Sequence, residues 1–550
     1  VFTRRNLLWL CLSIWLFVMA APFSLAQTKT KFFPIEEVRP GLKGVGYTVF
    51  SETKISSFDV TVLSMVESNL GKGKLILVRL SGKLLQENGG LSAGMSGSPV
   101  YIDKKLLGAI SYGFENADPF LALVTPIDDM MKLTPLDTFS SHSLPSAVPA
   151  GTPVMVSGMG QRAYEILYRS LGDHGLKAVM MPKVYGQSKR GDEPVKPGSA
   201  IAVQMVSGDY QVAAIGTVTW VDKQKFLAFG HSFANKGEVD YLALQAYILD
   251  TVKSPVMSFK IGVPLEPVGR IVQDRQAGIM GHLAELPRFI PVTVAVVDLD
   301  RKLSRTTNFQ VNRNEQMFRD LICSGVMDTI DQTLDRVGGG TAKLKLNIQT
   351  NALAKPILRE NLFYGKDIAL ASLGDLRNIL DILAANEFQA TEVHSVKVDV
   401  EVKARQETAR IIKLETEKEK FKPGESIALK AVLHTYRGSN LTVPLEVKLP
   451  DNLEPGKLSL TARGGAKDSN LEENDSVKNS RFKVDYKNVD SLEKLVKTYL
   501  DTPVNQQLVV EFTNNAKSGA DKEPQTEQSK ADTNYYIIGE AQLTIELLPR

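Results

Sequence analysis

One run of small residues stands out early in the chain: Gly89-Gly90-Leu91-Ser92-Ala93-Gly94-Met95-Ser96-Gly97-Ser98-Pro99-Val100-Tyr101-Ile102. A serine nucleophile needs a tight turn that exposes its hydroxyl while nearby backbone N–H groups face the developing oxyanion. Glycines on both sides of Ser96 permit that path. In Gly94-Met95-Ser96 the Gly94 and Ser96 amides are two residues apart, the spacing of the oxyanion hole in chymotrypsin-like proteases. The run is not an α/β-hydrolase elbow, because Ser98 stands where a glycine is required. Nor is it a P-loop, since no Gly-Lys-Ser/Thr follows. The competing reading is a Gly/Ser-rich approach to a hairpin that carries no chemistry.

A second segment, Gly216-Thr217-Val218-Thr219-Trp220 followed by Lys225-Phe226-Leu227-Ala228-Phe229-Gly230-His231-Ser232-Phe233, supplies a candidate histidine, although a lone histidine is more often a structural residue than a catalyst. It places His231 at the end of a hairpin, directly after a glycine. The chain has six histidines, and His231 has the best-defined context. His282, in Gly281-His282-Leu283, is a weaker rival, while His142, His174, His394 and His434 sit in loop-like or sheet segments. No His-Glu-x-x-His and no clustered histidine spacing is present, so the reading calls for no metal and no cofactor.

The surrounding pattern is mainly β. Between about 30 and 310, short apolar runs at 75–78, 100–102, 106–112, 212–220 and 292–297 read as strands separated by polar breaks. Asp103-Lys104-Lys105 and Asp222-Lys223-Gln224 suit hairpin turns. Residues 140–153 read as a connector. Apolar residues at 317, 318, 321, 322 and 327, and again at 373, 376, 379, 380 and 383, fit two amphipathic helices. From about 392 strict alternation (Val396, Val398, Val400, Val402, then Ile427, Leu429, Ala431, Leu433) points to antiparallel strands, most simply an immunoglobulin-type sandwich. Asp490 with Glu493 suggests a capped helix inside it, and 513–534 reads as a polar loop before a last strand. Five parts result: 1–26, 27–140, 141–312, 313–391 and 392–550.

Composition narrows the function classes. Lys+Arg 65 against Asp+Glu 62 removes the overall basic footprint of a nucleic-acid binder. Arg4-Arg5, an apolar run over 7–21 and the small residues Ser24 and Ala26 form a secretory signal cut before Gln27, an uncleaved anchor being the lesser reading. Its removal leaves 63 basic against 62 acidic residues and Cys323 as the single thiol. The expected location is the periplasm, cell envelope or exterior.

Together, Gly89-Gly90, Gly94-Met95-Ser96-Gly97-Ser98-Pro99, Gly216-Thr217 and Gly230-His231 resemble the SpoIVB peptidase family, S55, over roughly residues 35–300. Arg39-Pro40-Gly41-Leu42-Lys43-Gly44, Phe58-Asp59-Val60 and Gly269-Arg270-Ile271 extend the likeness. The resemblance implies a chymotrypsin-like double β-barrel, Ser96 as nucleophile, His231 as base and a protein or peptide as substrate. It also implies that the serine and histidine halves are in swapped order here. The position of the family's catalytic aspartate is occupied by Ser81. Losing the group that orients the histidine costs on the order of 10⁴-fold in rate. Glu87, Asp222 and Asp240 are substitutes to consider, as are a hydroxyl or a backbone carbonyl. The alternative function is an inactive, protease-like binding or scaffold protein of the envelope, with the C-terminal sandwich as a docking surface for a partner.

Overall fold

The computed structural model describes residues 31–67, 73–133, 147–149, 153–183, 193–313, 317–466, 489–514 and 525–549. The expected N-terminal signal segment, His142 and most of the expected 140–153 connector lie outside them. No helix among the described residues is long and apolar enough to cross a membrane.

Six strands close the first barrel: β1 (Lys43–Val49), β2 (Ile55–Glu67), β3 (Lys74–Ser81), β4 (Pro99–Ile102), β5 (Lys105–Phe114) and β6 (Leu121–Pro126). They pair in the order β4-β1-β2-β3-β6-β5, and β5 pairs back onto β4. Alternation explains the core: Phe58, Val60 and Val62 of β2 and Ile76, Val78 and Leu80 of β3 all turn inward. The β4–β5 hairpin turns on Asp103 and Lys104, both left-handed (φ +49° and +62°), the conformation a two-residue type I′ turn demands.

A second circuit follows, from β7 (Ala200–Gly208), β8 (Gln211–Asp222), β9 (Lys225–Ala228), β10 (Gly237–Val252), β11 (Ser258–Arg275) and β12 (Gly278–Leu283). The pairings run β8-β9-β12-β11-β10-β7, and β7 returns to β8. Its interior holds Ile201, Val203, Val218, Phe226, Tyr241, Ala243, Ile271 and Ile279. The two barrels are stitched together just before the serine loop, where Ser92–Ala93 adds in parallel to Ser258 and Phe259 of β11.

From β7 the sheet continues through Leu303–Asn312, Phe289–Asp298, Val393–Lys403, Gly340–Thr350 and Ile357–Gly365. Helices α1 (Gln161–Asp173), α2 (Phe318–Leu334), α3 (Gly374–Ala385) and α4 (Leu492–Leu500) contribute to its core. Two placements differ from the sequence expectation. The alternating strand Val393–Lys403 pairs inside this large sheet, so the C-terminal pair of sheets starts only with Thr408–Thr416. Its valines alternate for the large core rather than for the C-terminal one. In addition, Ser491, not Asp490, caps α4, its hydroxyl accepting from the Lys494 N–H while Asp490 pairs with the Lys494 ammonium.

Beyond Thr408 a four-stranded and a five-stranded sheet share one core that includes Ile427, Leu429, Leu433, Leu460, Leu508 and Val510. Part of the stretch expected as a polar loop is strand: Gln525–Asp532 pairs with Gln507–Asn514. Cys323, on α2, is fully enclosed and burial pushes its thiol up to about 12, which leaves it a small core residue.

A buried cluster fastens α4 to the large sheet. Arg359 donates to Asp375 (3.0 Å) and to the Leu500 and Thr502 carbonyls (3.0 and 3.1 Å), while the Tyr499 hydroxyl donates to Asp375 (2.7 Å). Replacing Arg359 by Ala strands the Asp375 charge and should cost about 3–5 kcal/mol. The apolar pair Arg359→Met with Asp375→Leu should cost less. Urea unfolding followed by circular dichroism compares the two; equal losses would contradict the assignment.

Candidate active site

Ser96 lies in a loop shaped by two left-handed glycines, Gly94 (φ +99°) and Gly97 (φ +91°). A Cβ at position 97 would lie 1.9 Å from the Thr217 carbonyl oxygen and 2.4 Å from the Phe229 nitrogen. Only glycine fits there, because the loop is pressed against the backbone of the second barrel. Met95 anchors the loop from the other side. Its side chain is fully buried in the first barrel's core, a contribution of about 1.5–3 kcal/mol. The N–H groups of Met95, Gly97 and Ser98 are engaged by the carbonyls of Ser92 (2.9 Å), Ile110 (2.7 Å) and Met95 (2.9 Å).

Strand β8 grips the loop with alternate residues. The Thr217 N–H donates to the Ser96 carbonyl (2.7 Å), the Thr217 hydroxyl to the Gly94 carbonyl (2.9 Å), and the Thr219 hydroxyl to the Gly97 carbonyl (2.8 Å). The period of two puts both threonines on one face of the strand, opposite the serine loop. Behind them lies Lys260 of β11, wholly enclosed. Its ammonium donates to the Thr48 hydroxyl (2.8 Å) and the Gly94 carbonyl (3.2 Å), and burial lowers it to about 7.

His231 reaches the same region from the end of β9. Phe229 (φ +71°) and Gly230 (φ +68°) are both left-handed and reverse the chain. For a phenylalanine this is an uncommon backbone state, held here by packing on both sides. The Thr125 hydroxyl of β6 donates to the Gly230 carbonyl (2.7 Å), so the first barrel holds the turn that carries the histidine. The imidazole lies near Tyr112 and Phe229, with ring centroids 5.9 and 5.7 Å away. Its Nδ1 is 2.7 Å from the Ser232 carbonyl oxygen. A carbonyl only accepts, so Nδ1 carries the hydrogen and Nε2 keeps a lone pair. Burial pushes the imidazole down to about 4, the Ser232 contact opposing the shift only in part.

The segments of both expected residues therefore meet at the boundary of the two barrels. Ser96 Oγ and His231 Nε2 are both buried, and neither has a hydrogen-bond partner among the described residues; they do not bond to each other. None of the acids considered from sequence reaches the ring. Ser81 is exposed on β3 opposite Asp59, and Glu87 is exposed beside Lys83. Asp222 lies exposed at the β8–β9 turn, and Asp240 is occupied by Arg270 (2.7 Å) and Arg288 (3.5 Å). His282 faces Glu285 (3.1 Å) instead of the serine. The orienting contact on His231 is a backbone carbonyl.

Two contributors, Lys260 and Asp274, escape the motif reading, and Thr217 stands in its Gly216-Thr217 step without an assigned role. Asp274 of β11 is completely buried and accepts from the Phe233 and Ala234 N–H groups (2.7 Å each), with the Asn235 and Lys236 amides adding to the effect. It thereby folds the loop that supplies the Ser232 carbonyl. Burial nonetheless raises its carboxyl to about 6. Lys260 was hidden by alternation: Phe259, Ile261 and Val263 read as the inward face of the strand, whereas the structure buries Ser258, Lys260 and Gly262. Replacing Asp274 by Ala leaves buried amides without an acceptor and should cost more than about 3 kcal/mol. Hydrogen exchange should show the 232–236 amides accelerated first; uniform acceleration would contradict the role.

Among the described residues, no group of three or more His, Cys, Asp or Glu side chains is placed to hold a metal ion. Comparison with known proteins finds no matching curated protein and no matching solved structure. Residues 24–131, which include β1–β6 and the whole serine loop but stop short of His231, match the family model described as SpoIVB peptidase S55.

Proposed function

We propose that this protein is an exported serine peptidase of the SpoIVB S55 type, with Ser96 as nucleophile and His231 as general base. The observation that carries the reading is the pair of buried, unpartnered atoms, Ser96 Oγ and His231 Nε2, on loops pinned to each other by backbone contacts. The family match over 24–131 supports a peptidase and protein substrates, and the two six-stranded circuits fit a chymotrypsin-like pair of barrels.

In this mechanism His231 Nε2 takes the proton from Ser96 as Oγ bonds to the scissile carbonyl carbon. The Gly94 and Ser96 amides receive the oxyanion. His231 then returns its proton to the leaving amine, and water, deprotonated by the same nitrogen, releases the acyl group. The Ser232 carbonyl holds the productive tautomer but lacks the charge of a carboxylate, so it stabilises the imidazolium less. The turnover expected is slow. The complete burial of Ser96 is the observation that favours the second reading, a protease-like scaffold that binds envelope partners through its C-terminal sheets.

A fluorophosphonate probe should label the wild type and fail to label Ser96→Ala, while His231→Gln slows labelling on the order of 10³-fold or more. Intact mass spectrometry reads all three; a folded wild type that takes no label leaves the scaffold. The pH dependence carries a sign. A histidine held low stays neutral, and therefore basic, until the pH falls through about 4. Labelling should thus persist below pH 6 and disappear near pH 4. An acid midpoint near 6.5 would contradict a buried base.

A further inference from the structure

Lys260 is a buried cation that the mechanism above does not use. It is 0% exposed, at the foot of the serine loop, and two contacts are described for its ammonium: the Thr48 hydroxyl and the Gly94 carbonyl. Burying an ammonium without a carboxylate is costly, and a hydrophobic residue of similar length would fill the space without that penalty. Its placement is specific. The same Gly94 carbonyl also receives the Thr217 hydroxyl (2.9 Å), and the Thr48 and Thr217 hydroxyls stand 3.4 Å apart. An ammonium from β11 and a hydroxyl from β8 thus converge on a single carbonyl of the serine loop, and the Thr48 hydroxyl of β1 accepts from that ammonium.

We propose that Lys260 is a positioning residue for the serine loop: its ammonium and Thr217 hold the Gly94 carbonyl, so that the Gly94–Met95 peptide cannot rotate and the flanking Gly94 and Ser96 amides stay directed at one point. The inference rests on the peptidase reading for its kinetic consequence. A rotated peptide would offer a carbonyl oxygen to the loop's interior, where it would accept from the serine hydroxyl and compete with an oxyanion. The charge also acts directly. In a site without water, a cation close to the loop favours negative charge developing above it far more than the same cation would in solvent.

The groups facing Lys260 are neutral. β1 presents Thr48, β8 presents Thr217, and on β10 the residue in register is Thr251. The adjacent Asp250 is exposed and accepts from the Thr251 N–H. Burial alone accounts for the lowered ammonium, at about 7, so the charge is present below neutrality and is lost above it. Labelling of Ser96 therefore carries an alkaline limb as well as the acid limb of His231.

The test uses the full-length protein and the fluorophosphonate probe from pH 5 to 9, with hydrogen exchange of a peptide containing residues 92–98. Wild type should label more slowly as the pH rises through about 7. Lys260→Met should label on the order of tenfold more slowly at pH 6, lose the alkaline limb and exchange its loop amides faster. Thr48→Val, nearly isosteric and away from the nucleophile, removes an acceptor of the charged form and should move the limb to lower pH. Wild-type rate and limb in Lys260→Met, or an unmoved limb in Thr48→Val, would overturn the proposal. If wild type takes no label, the peptidase reading falls, and exchange alone decides: faster loop exchange in Lys260→Met supports the positioning role, and unchanged exchange overturns it.

Discussion

The site depends on a seam of three hydrogen bonds between one strand and one loop. Thr217 and Thr219 of β8 hold the carbonyls of Gly94, Ser96 and Gly97, and the absence of a side chain at Gly97 lets the two backbones touch. Without that seam, the register of Ser96 against His231 would rest on contacts outside the serine turn and on the Lys260 ammonium alone. The remaining contacts reinforce it from both ends. Met95 sinks into the first core, the Thr125 hydroxyl ties the histidine turn back to β6, and Ser92–Ala93 pairs in parallel beside β11. Proximity of the proposed reacting groups is thus built from backbone geometry, which tolerates little displacement.

Electrostatically, the region is unusual in what it buries. Lys260, His231 and Asp274 are all enclosed, and none forms an ion pair with another. The partners described are neutral: hydroxyl and carbonyl for the lysine, a carbonyl at Nδ1 of the histidine, backbone amides for the aspartate. Burial moves all three toward their uncharged forms, the lysine and histidine downward and the aspartate upward. Charges poised this way respond to small changes in solvation, which is the property a reacting site requires and a structural core avoids. The same burial closes the site in the conformation described, with Tyr112 and Phe229 near the imidazole.

Much of this was legible in the sequence, and the failures have physical causes. Glycine spacing around Ser96 and the Gly230-His231 step revealed both loops, because only a few backbone paths need glycine at those positions. The apolar runs at 75–78, 100–102, 106–112 and 212–220 fall within barrel strands β3, β4, β5 and β8, while the other barrel strands carry no run singled out from the sequence. Alternation could not say which core an alternating strand serves, and so Val393–Lys403 was expected in the C-terminal sheets although it pairs with Phe289–Asp298. The acids were harder. Glu87, Asp222 and Asp240, the substitutes the sequence offers, do not reach the ring, whereas Asp274 acts across 40 and 41 residues on Ala234 and Phe233. The contact on His231 is a main-chain carbonyl, which no side-chain pattern encodes. The family match likewise stops at residue 131, so the pairing of serine with histidine rests on tertiary contacts.

The most direct measurement is a crystal structure of the protein after reaction with a fluorophosphonate. The account predicts phosphorus bonded to Ser96 Oγ, a phosphoryl oxygen within hydrogen-bonding reach of the Gly94 and Ser96 amides, and His231 Nε2 turned to the adduct. Phosphorus on another residue, or an adduct on Ser96 with the imidazole still facing neither oxygen, would contradict it.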